Sequence, residues 1–400
     1  MSVQTVQGDG SREYSWRGQN ISLNQSLLIR PVMYLVDIRY KGTSSFYYSF
    51  WCSKLGCVLG AVAPQALGRT LTHEHLSLDF SHFYRPAPGH LADRLAGPIS
   101  LQNVGFVRQL PYSSQTNVDF KGDDTNAAVL NDVMAYKRFG GGTIVENTTT
   151  GLGLDLQLLK DVSKATDVHI VSGTGYYIAA VQDPSTLSMT TEDIYSHMLV
   201  ELTIGHKDDA AIKAGFMGEI ASVWPIHDFE KRVIQAVGAL QEQLGCGVSF
   251  HPHRDVAAPG EILRLYTEAG GRADKAVMSH LDRTLLKDEE VLEFSSLGSY
   301  CQWDLFGVEV SHYQLNPSAD MPSDAQRIAK VKMMVDEGMA DRVLLSHDIH
   351  TKHRLIDYGG HGYSHIINSV LPKMLERGIS PQDVEQITMT NPANWLQYNL

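Results

Sequence analysis

The sequence predicts an α/β protein built as a (β/α)8 TIM barrel, and three observations lead there. From about residue 67 to the C-terminus, short apolar runs alternate with helix-length amphipathic segments, the pattern of parallel strands joined by helical crossovers. The apolar runs number eight, the count that closes a barrel. The alternative, an open doubly wound sheet, ordinarily places a glycine-rich phosphate loop after its first strand. No GxGxxG or GxxxxGK[ST] follows the first run here.

The first strand is Thr70-Leu71-Thr72-His73-Glu74-His75. Its β-branched threonines favour extended backbone, and on a strand the side chains of His73 and His75 share one face while Glu74 points away. A long irregular stretch follows, about 81–124, too long for a plain connection and therefore a flap near the site. Helix is expected at 126–139, stopped by Gly140-Gly141-Gly142, then a strand at 143–145. A helix at 155–166 leads to a strand at 168–171, and a helix at 192–204 to a strand at 214–220. The long helix 228–244 is closed by Gly245 and precedes strand 247–251. Helix 259–269, strand 276–280, helix 287–294 and strand 299–303 continue the alternation. Helix 322–337 and the last strand, 342–348, complete it, with closing helices at 364–377 and 381–389.

Residues 1–62 read differently from 63–400, which form the barrel domain. The start is polar and lacks the pattern of a secretory signal. The more apolar stretches 27–38 and 46–63 are interrupted by polar residues, so a membrane anchor is not expected. The net charge of −12 argues against nucleic-acid and membrane-surface partners. Four cysteines, Cys52, Cys57, Cys246 and Cys301, form no CxxC pair and suit a reducing, cytosolic compartment.

Chemistry is concentrated at strand ends. The first strand ends in His73 and His75, the fourth in Glu219, the fifth in His251, the sixth in His280 and the eighth in Asp348. An isolated HxH is more often an ordinary pair of histidines than a metal grip. Six residues of ligand type in register with the repeat make that reading untenable for the set, because barrel strand ends converge on one mouth. Four histidines and two carboxylates exceed what a single zinc site takes. They suit two divalent ions, zinc being the first expectation, with Glu219 the carboxylate best placed to bridge. Asp348 is placed to touch one metal and to take a proton from a bridging water, whose hydroxide is the expected nucleophile.

Seven stretches carry a family resemblance: GRTLTHEHL (68–76), GGTIVENT (141–148), VSGTGYY (171–177), GFMGEI (215–220), SFHPHR (249–254), MSHLDRT (278–284) and LLSHDI (344–349). Over about 67–400 the chain resembles the phosphotriesterase family of the amidohydrolase superfamily, closest to its animal branch. The resemblance implies that His73, His75 and Asp348 hold one metal, His251 and His280 the other, and that Glu219 bridges where many members carry a carbamylated lysine. It implies a hydrolase of small amide or ester substrates. In the animal branch these are N-acyl taurines and N-acyl amino acids, with N-acetyltaurine cleaved to taurine and acetate. Lactone or phosphotriester hydrolysis at the same site is the alternative. An anionic head group would need a cation, for which Arg254, Arg283, Lys352 and His353 are the candidates, with Tyr176 a candidate hydrogen-bonding partner. A homodimer is left open as the assembly. Against the family pattern, residues 2–6 look like the usual start, residues 58–60 like its continuation, and the residues between them like an insertion.

Overall fold

The computed structural model describes residues 55–398. Before them it describes only the backbone of two short hairpins, Arg12–Trp16 with Gln19–Leu23 and Asp37–Tyr40 with Thr43–Phe46. The cysteine at position 52, the apolar stretch 27–38 and the start-like residues 2–6 lie largely or wholly outside the side chains described. The chain divides into two compact units, 1–52 and 53–400.

The second unit is an eight-stranded parallel sheet rolled into a near-closed barrel. Its strands are β1 (Arg69–Glu74), β2 (Gly141–Glu146), β3 (His169–Thr174), β4 (Phe216–Ala221), β5 (Val248–His251), β6 (Ala276–Met278), β7 (Tyr300–Trp303) and β8 (Val343–Leu345). Neighbouring strands in the sheet are neighbours in sequence. The crossover helices are α1 (Asp123–Arg138), α2 (Leu156–Thr166), α3 (Thr191–Thr203), α4 (Asp228–Leu244), α5 (Ala258–Glu268), α6 (Asp288–Ser295) and α7 (Asp324–Asp336). A further helix, α8 (Leu371–Glu376), follows β8.

All eight strands expected from the sequence are present, although β1 ends one residue early, at Glu74, and two others end earlier still. β6 stops at Met278 and β8 at Leu345, so His280 and Asp348 lie beyond their strands. Both adopt left-handed backbone, φ 58° and 53°, a conformation in which Asp and His are enriched among non-glycine residues. The closing helix expected at 381–389 continues through Asn391 and Pro392 to Leu396. Proline is tolerated there at the first turn of a helical segment.

Side-chain alternation explains the two-sided burial of each strand. Ile144, Ile170, Met217 and Met278 pack outward among the helices, while Val145, Val171, Phe216, Val277, Tyr300 and Leu344 pack together with Trp395 and Leu396. That second cluster is the barrel floor. A hairpin, Leu55–Cys57 with Gly60–Val62, plugs it: Leu55 and Cys57 belong to the cluster, and Val58 N–H donates to Ile170 O at 2.9 Å. Gly56 and Gly215 make this approach possible, since a Cβ on Gly215 would lie 2.4 Å from Gly56 O. The barrel unit therefore includes residues the sequence reading places before its 62/63 boundary.

The seam between β8 and β1 closes at the other end. Asp348 N–H donates to His73 O at 3.0 Å, and His73 N–H donates to Ser346 Oγ at 2.9 Å. Glu74, between the two histidines, is buried in this seam. Its carboxylate accepts from Ser346 Oγ, His347 N and Ile349 N at 2.7, 2.8 and 3.0 Å. The flap at 81–124 is a chain of short helical turns, tied to the barrel by a two-residue antiparallel ladder, Leu78–Asp79 with Asp119–Phe120.

Candidate metal centre and substrate pocket

The mouth of the barrel brings His73, His75, Glu219, His251, His280 and Asp348 together. Glu219 lies at the centre. Its Oε1 is 3.6 Å from His75 Nε2, while its Oε2 is 3.4 Å from His73 Nε2, 2.6 Å from His251 Nδ1 and 3.6 Å from His280 Nε2. Asp348 Oδ1 is 3.3 Å from His75 Nε2 and 3.8 Å from His73 Nε2. Two groupings have ligand atoms all within 4.8 Å of one another: His73, His75 and Asp348, and His73, Glu219 and His280.

The far side of each imidazole shows which nitrogen is free to ligate. His73 Nδ1 meets Ser279 Oγ at 3.1 Å, His75 Nδ1 meets Thr148 Oγ1 at 2.8 Å, and His280 Nδ1 meets Asp304 Oδ1 at 2.7 Å. Oxygen partners on Nδ1 turn Nε2 towards the centre, the usual support for a metal-ligating histidine. His251 is reversed. Its Nδ1 faces Glu219, and its Nε2 accepts from Arg283 Nη2 at 3.1 Å.

Charge in the cluster follows from this crowding. Burial disfavours the charged form of His73, but Glu219, Asp304 and Asp348 outweigh it and lift the group to about 10. Burial pushes His251 down to about 3, with His280 and Arg283 adding to the fall against the pull of Glu219. Burial also favours neutral Glu219 and Asp348, yet the surrounding histidines hold both well below the ordinary carboxylate range. The residues present fit divalent cations. Two ionised carboxylates face a fully buried His73 Nε2 that has no hydrogen-bond partner, and an unpartnered buried nitrogen aimed at carboxylates is an open ligand position.

A cavity opens over the cluster. His75, Glu219, His251 and Asp348 form its polar floor, and Arg254 and Arg283 one side. Phe80, Tyr112, Tyr177 and Tyr313 contribute aromatic surface, and Leu305, Val308, Leu315 and Met321 an apolar wall. The flap thus reaches the pocket through Tyr112, with Phe80 just before it. Arg254 donates from Nε and Nη2 to Tyr313 Oη at 3.0 and 2.8 Å.

Three candidates from the sequence lie elsewhere. Tyr176 turns away from the cavity, and its hydroxyl bonds His197 Nδ1 at 2.8 Å. Its neighbour Tyr177 lines the pocket, because successive side chains point to opposite sides of extended backbone. Lys352 and His353 follow β8 on a short turn that faces the flap. There His353 N–H donates to Asn117 Oδ1 at 2.8 Å. His350 faces the pocket instead, 3.2 Å from Asp348 Oδ2 and 3.0 Å from Tyr112 Oη. Asp304 was also missed, although it directly follows β7 and so satisfies the strand-end rule that found the others.

Fold and cluster together define a metal-dependent hydrolase barrel. The sequence profile of the Phosphotriesterase family matches residues 53–396. A phosphotriesterase-related protein of Drosophila pseudoobscura pseudoobscura is 55% identical over 346 residues, covering 86% of this chain and 98% of the relative. That of Drosophila melanogaster is 54% identical over 351 residues, covering 87% and 99%. Among solved structures, a resiniferatoxin-binding protein from Rhodobacter sphaeroides is similar at TM-score 0.81 and 26% identity, covering 86% of this chain and 96% of that one. A phosphotriesterase homology protein from Escherichia coli, complexed with phosphate in its active site, is similar at TM-score 0.67 and 25% identity, covering 83% and 99%. The chain belongs to the phosphotriesterase family, whose members are binuclear metal hydrolases of small molecules.

Proposed function

We propose that this protein hydrolyses the amide bond of small N-acyl compounds with an anionic head group, the N-acyl taurines and N-acyl amino acids, with N-acetyltaurine cleaved to taurine and acetate. One observation carries the reading. Two guanidinium groups, Arg254 and Arg283, line the cavity that holds the ligand cluster, and neither pairs with a carboxylate among the described residues. Arg283 is buried and Arg254 half-buried; cations so placed without counter-ions are costly, and an incoming sulfonate or carboxylate would satisfy them. The apolar wall of Leu305, Val308, Leu315 and Met321 takes a short acyl group.

His73, His75 and Asp348 would hold one divalent ion, and His251 and His280 a second, with Glu219 between them. The expected metal is zinc. Such a pair supplies Lewis acidity towards the carbonyl and lowers the pKa of a water. The chain's own groups do the rest. Arg254 and Arg283 fix the head group, so that the scissile amide lies over Glu219. Asp348 accepts a proton from the attacking water and returns it to the leaving amine. The aromatic lid of Phe80, Tyr112 and Tyr313 limits the access of other water. A cytosolic location accords with the reduced cysteines; among the described residues no helix is long and apolar enough to cross a membrane.

The test is a comparison of substrates on zinc-loaded protein: N-acetyltaurine, an N-acetyl amino acid, an acyl-homoserine lactone and a phosphotriester. Amine release from the first two is expected. Turnover of lactone or triester with both amides untouched would overturn the reading in favour of the alternative. Elemental analysis should approach two divalent ions per chain.

A further inference from the structure

We propose that Arg354 is a positioning residue for the reaction: it holds the backbone turn that aims Asp348 into the cluster and registers that turn against the pocket wall. The inference rests on reading the cluster as a metal site. Arg354 ends the short turn that follows β8. Its side chain is buried, 4% exposed, and no carboxylate among the described residues lies within ion-pair distance of it. Instead it binds main chain. Nη1 donates to Asp348 O at 2.5 Å, and Nη2 donates to His347 O at 2.5 Å and to Phe306 O at 3.1 Å. Nε faces His361 Nε2 at 3.4 Å.

A buried cation without an anion costs several kcal/mol unless hydrogen bonds replace its hydration. The three carbonyls do so, and what they belong to is informative. Two come from the residues that leave β8, the third from the loop after β7. Asp348 sits at φ 53°, backbone that costs a non-glycine residue on the order of 1 kcal/mol and so must be held by its surroundings. That turn directs Asp348 Oδ1 to within 3.3 Å of His75 Nε2. Phe306 follows Leu305, which lines the cavity. One planar fork therefore sets the distance between a candidate ligand and the wall that would hold the acyl group. Lysine cannot replace it, because a single ammonium has no rigid fork to span carbonyls on two loops.

The experiment uses full-length protein and two variants, Arg354→Lys and Arg354→Ala, the latter with and without methylguanidinium. Zinc affinity is measured by chelator competition, folding by thermal unfolding, and kcat and KM on whichever substrate the wild type turns over. For Arg354→Lys the melting temperature should stay within a few degrees. Zinc affinity should fall about 10–100-fold, the usual cost of losing a group that orients a ligand. kcat should fall by a similar factor while KM moves less than about threefold, since the loss is felt mainly in the transition state. Methylguanidinium should restore part of both quantities in Arg354→Ala. Wild-type zinc affinity and kcat in Arg354→Lys would overturn the role while leaving the metal site intact. Unfolding of both variants would overturn it in favour of a staple for the fold alone. Wild-type protein that binds no zinc would overturn the metal reading and this role with it.

Discussion

The two ends of the barrel are built from the same eight strands and share almost no chemistry. The floor is apolar, with Leu55, Phe216, Leu344 and Trp395 meeting at 0% exposure. The mouth, a few residues further along each strand, is buried too, His251 apart, but holds histidines and carboxylates, two of them on left-handed backbone. Burial alone therefore does not separate core from site. What separates them is whether buried groups satisfy one another. At the floor, the side chains are apolar and pack against one another. At the mouth, a buried histidine nitrogen has no hydrogen-bond partner, and two guanidiniums have no carboxylate partner among the described residues. Stability resides at one end and chemistry at the other, the division of labour expected of this fold.

The sharpest way to break that comparison is Asp348→Asn. If Asp348 moves a proton, turnover should fall roughly 10²–10⁴-fold with metal content unchanged, the range for loss of general acid–base catalysis. The acidic limb of the pH–rate profile should also change shape. As a ligand alone, the amide oxygen would still coordinate, and turnover should recover at high zinc. Thermal unfolding should barely move in either case, because the floor is untouched.

The opposite perturbation is Phe216→Ala. Phe216 is fully buried and packs edge-to-face on Trp395, with ring centroids 5.4 Å apart. Truncating a core aromatic costs about 3–5 kcal/mol. Chemical denaturation should show this loss, while the folded fraction keeps kcat within about twofold. A matching loss of zinc would mean that the two ends are coupled more tightly than their separation implies.

How far each end was legible in the sequence follows from the same contrast. Eight apolar runs are a periodic signal, so the strands were readable. The clustering of those six residues was readable because strand ends in a barrel converge. The pocket was not, since its wall comes from loops and from the flap, where no period operates. Tyr176 and Tyr177 show the limit: adjacent tyrosines differ only in parity, and the backbone leaving β3 decides which one faces the cavity. Glu74 shows another. Alternation turns it away from the metal cluster, but only closure of the barrel reveals that it caps the N–H groups at the end of β8. His350, two residues past Asp348, carried no signal beyond its type.

A smaller effect is expected at a helix beside the mouth. Asp132, on α1, accepts from Ile356 N at 3.1 Å in the loop after β8. Burial, with Asp357 adding to it against that hydrogen bond, raises its pKa to about 7. The folded pKa exceeds the unfolded value near 3.9, so the unfolded state sheds the proton first. Asp132 therefore costs stability progressively as pH rises from about 4 to about 7, and the cost is constant above that. Asp132→Asn keeps an acceptor for Ile356 without the charge. Its stability should match wild type near pH 4 and exceed it at pH 8 by on the order of 1–2 kcal/mol. Equal pH dependence of the two proteins in denaturant titrations would show that the carboxylate is hydrated in solution.

The smallest effect expected comes from removing residues 1–52. The compact unit that carries the barrel begins at Ser53, and every described residue of the cluster, the pocket and the floor lies beyond that point. Removal should therefore leave zinc content, kcat and the unfolding midpoint within error of the full chain. The comparison becomes informative when the cut moves ten residues. Removing 1–62, the boundary the sequence suggests, also takes the hairpin that plugs the floor. Leu55, 0% exposed, and Cys57, 5% exposed, would go, along with the bond from Val58 N–H to Ile170 O. Loss of one buried leucine from a core ordinarily costs about 2–5 kcal/mol, and here a whole two-stranded plug is lost. The longer deletion should thus melt well below the shorter one, while neither removes a residue of the mouth. A midpoint shared by both deletions would show that the floor closes without its plug. A loss of activity already present in the 1–52 deletion, with the midpoint unchanged, would show that the first unit matters to the mouth, and the account of chemistry as a property of these strands alone would then fail.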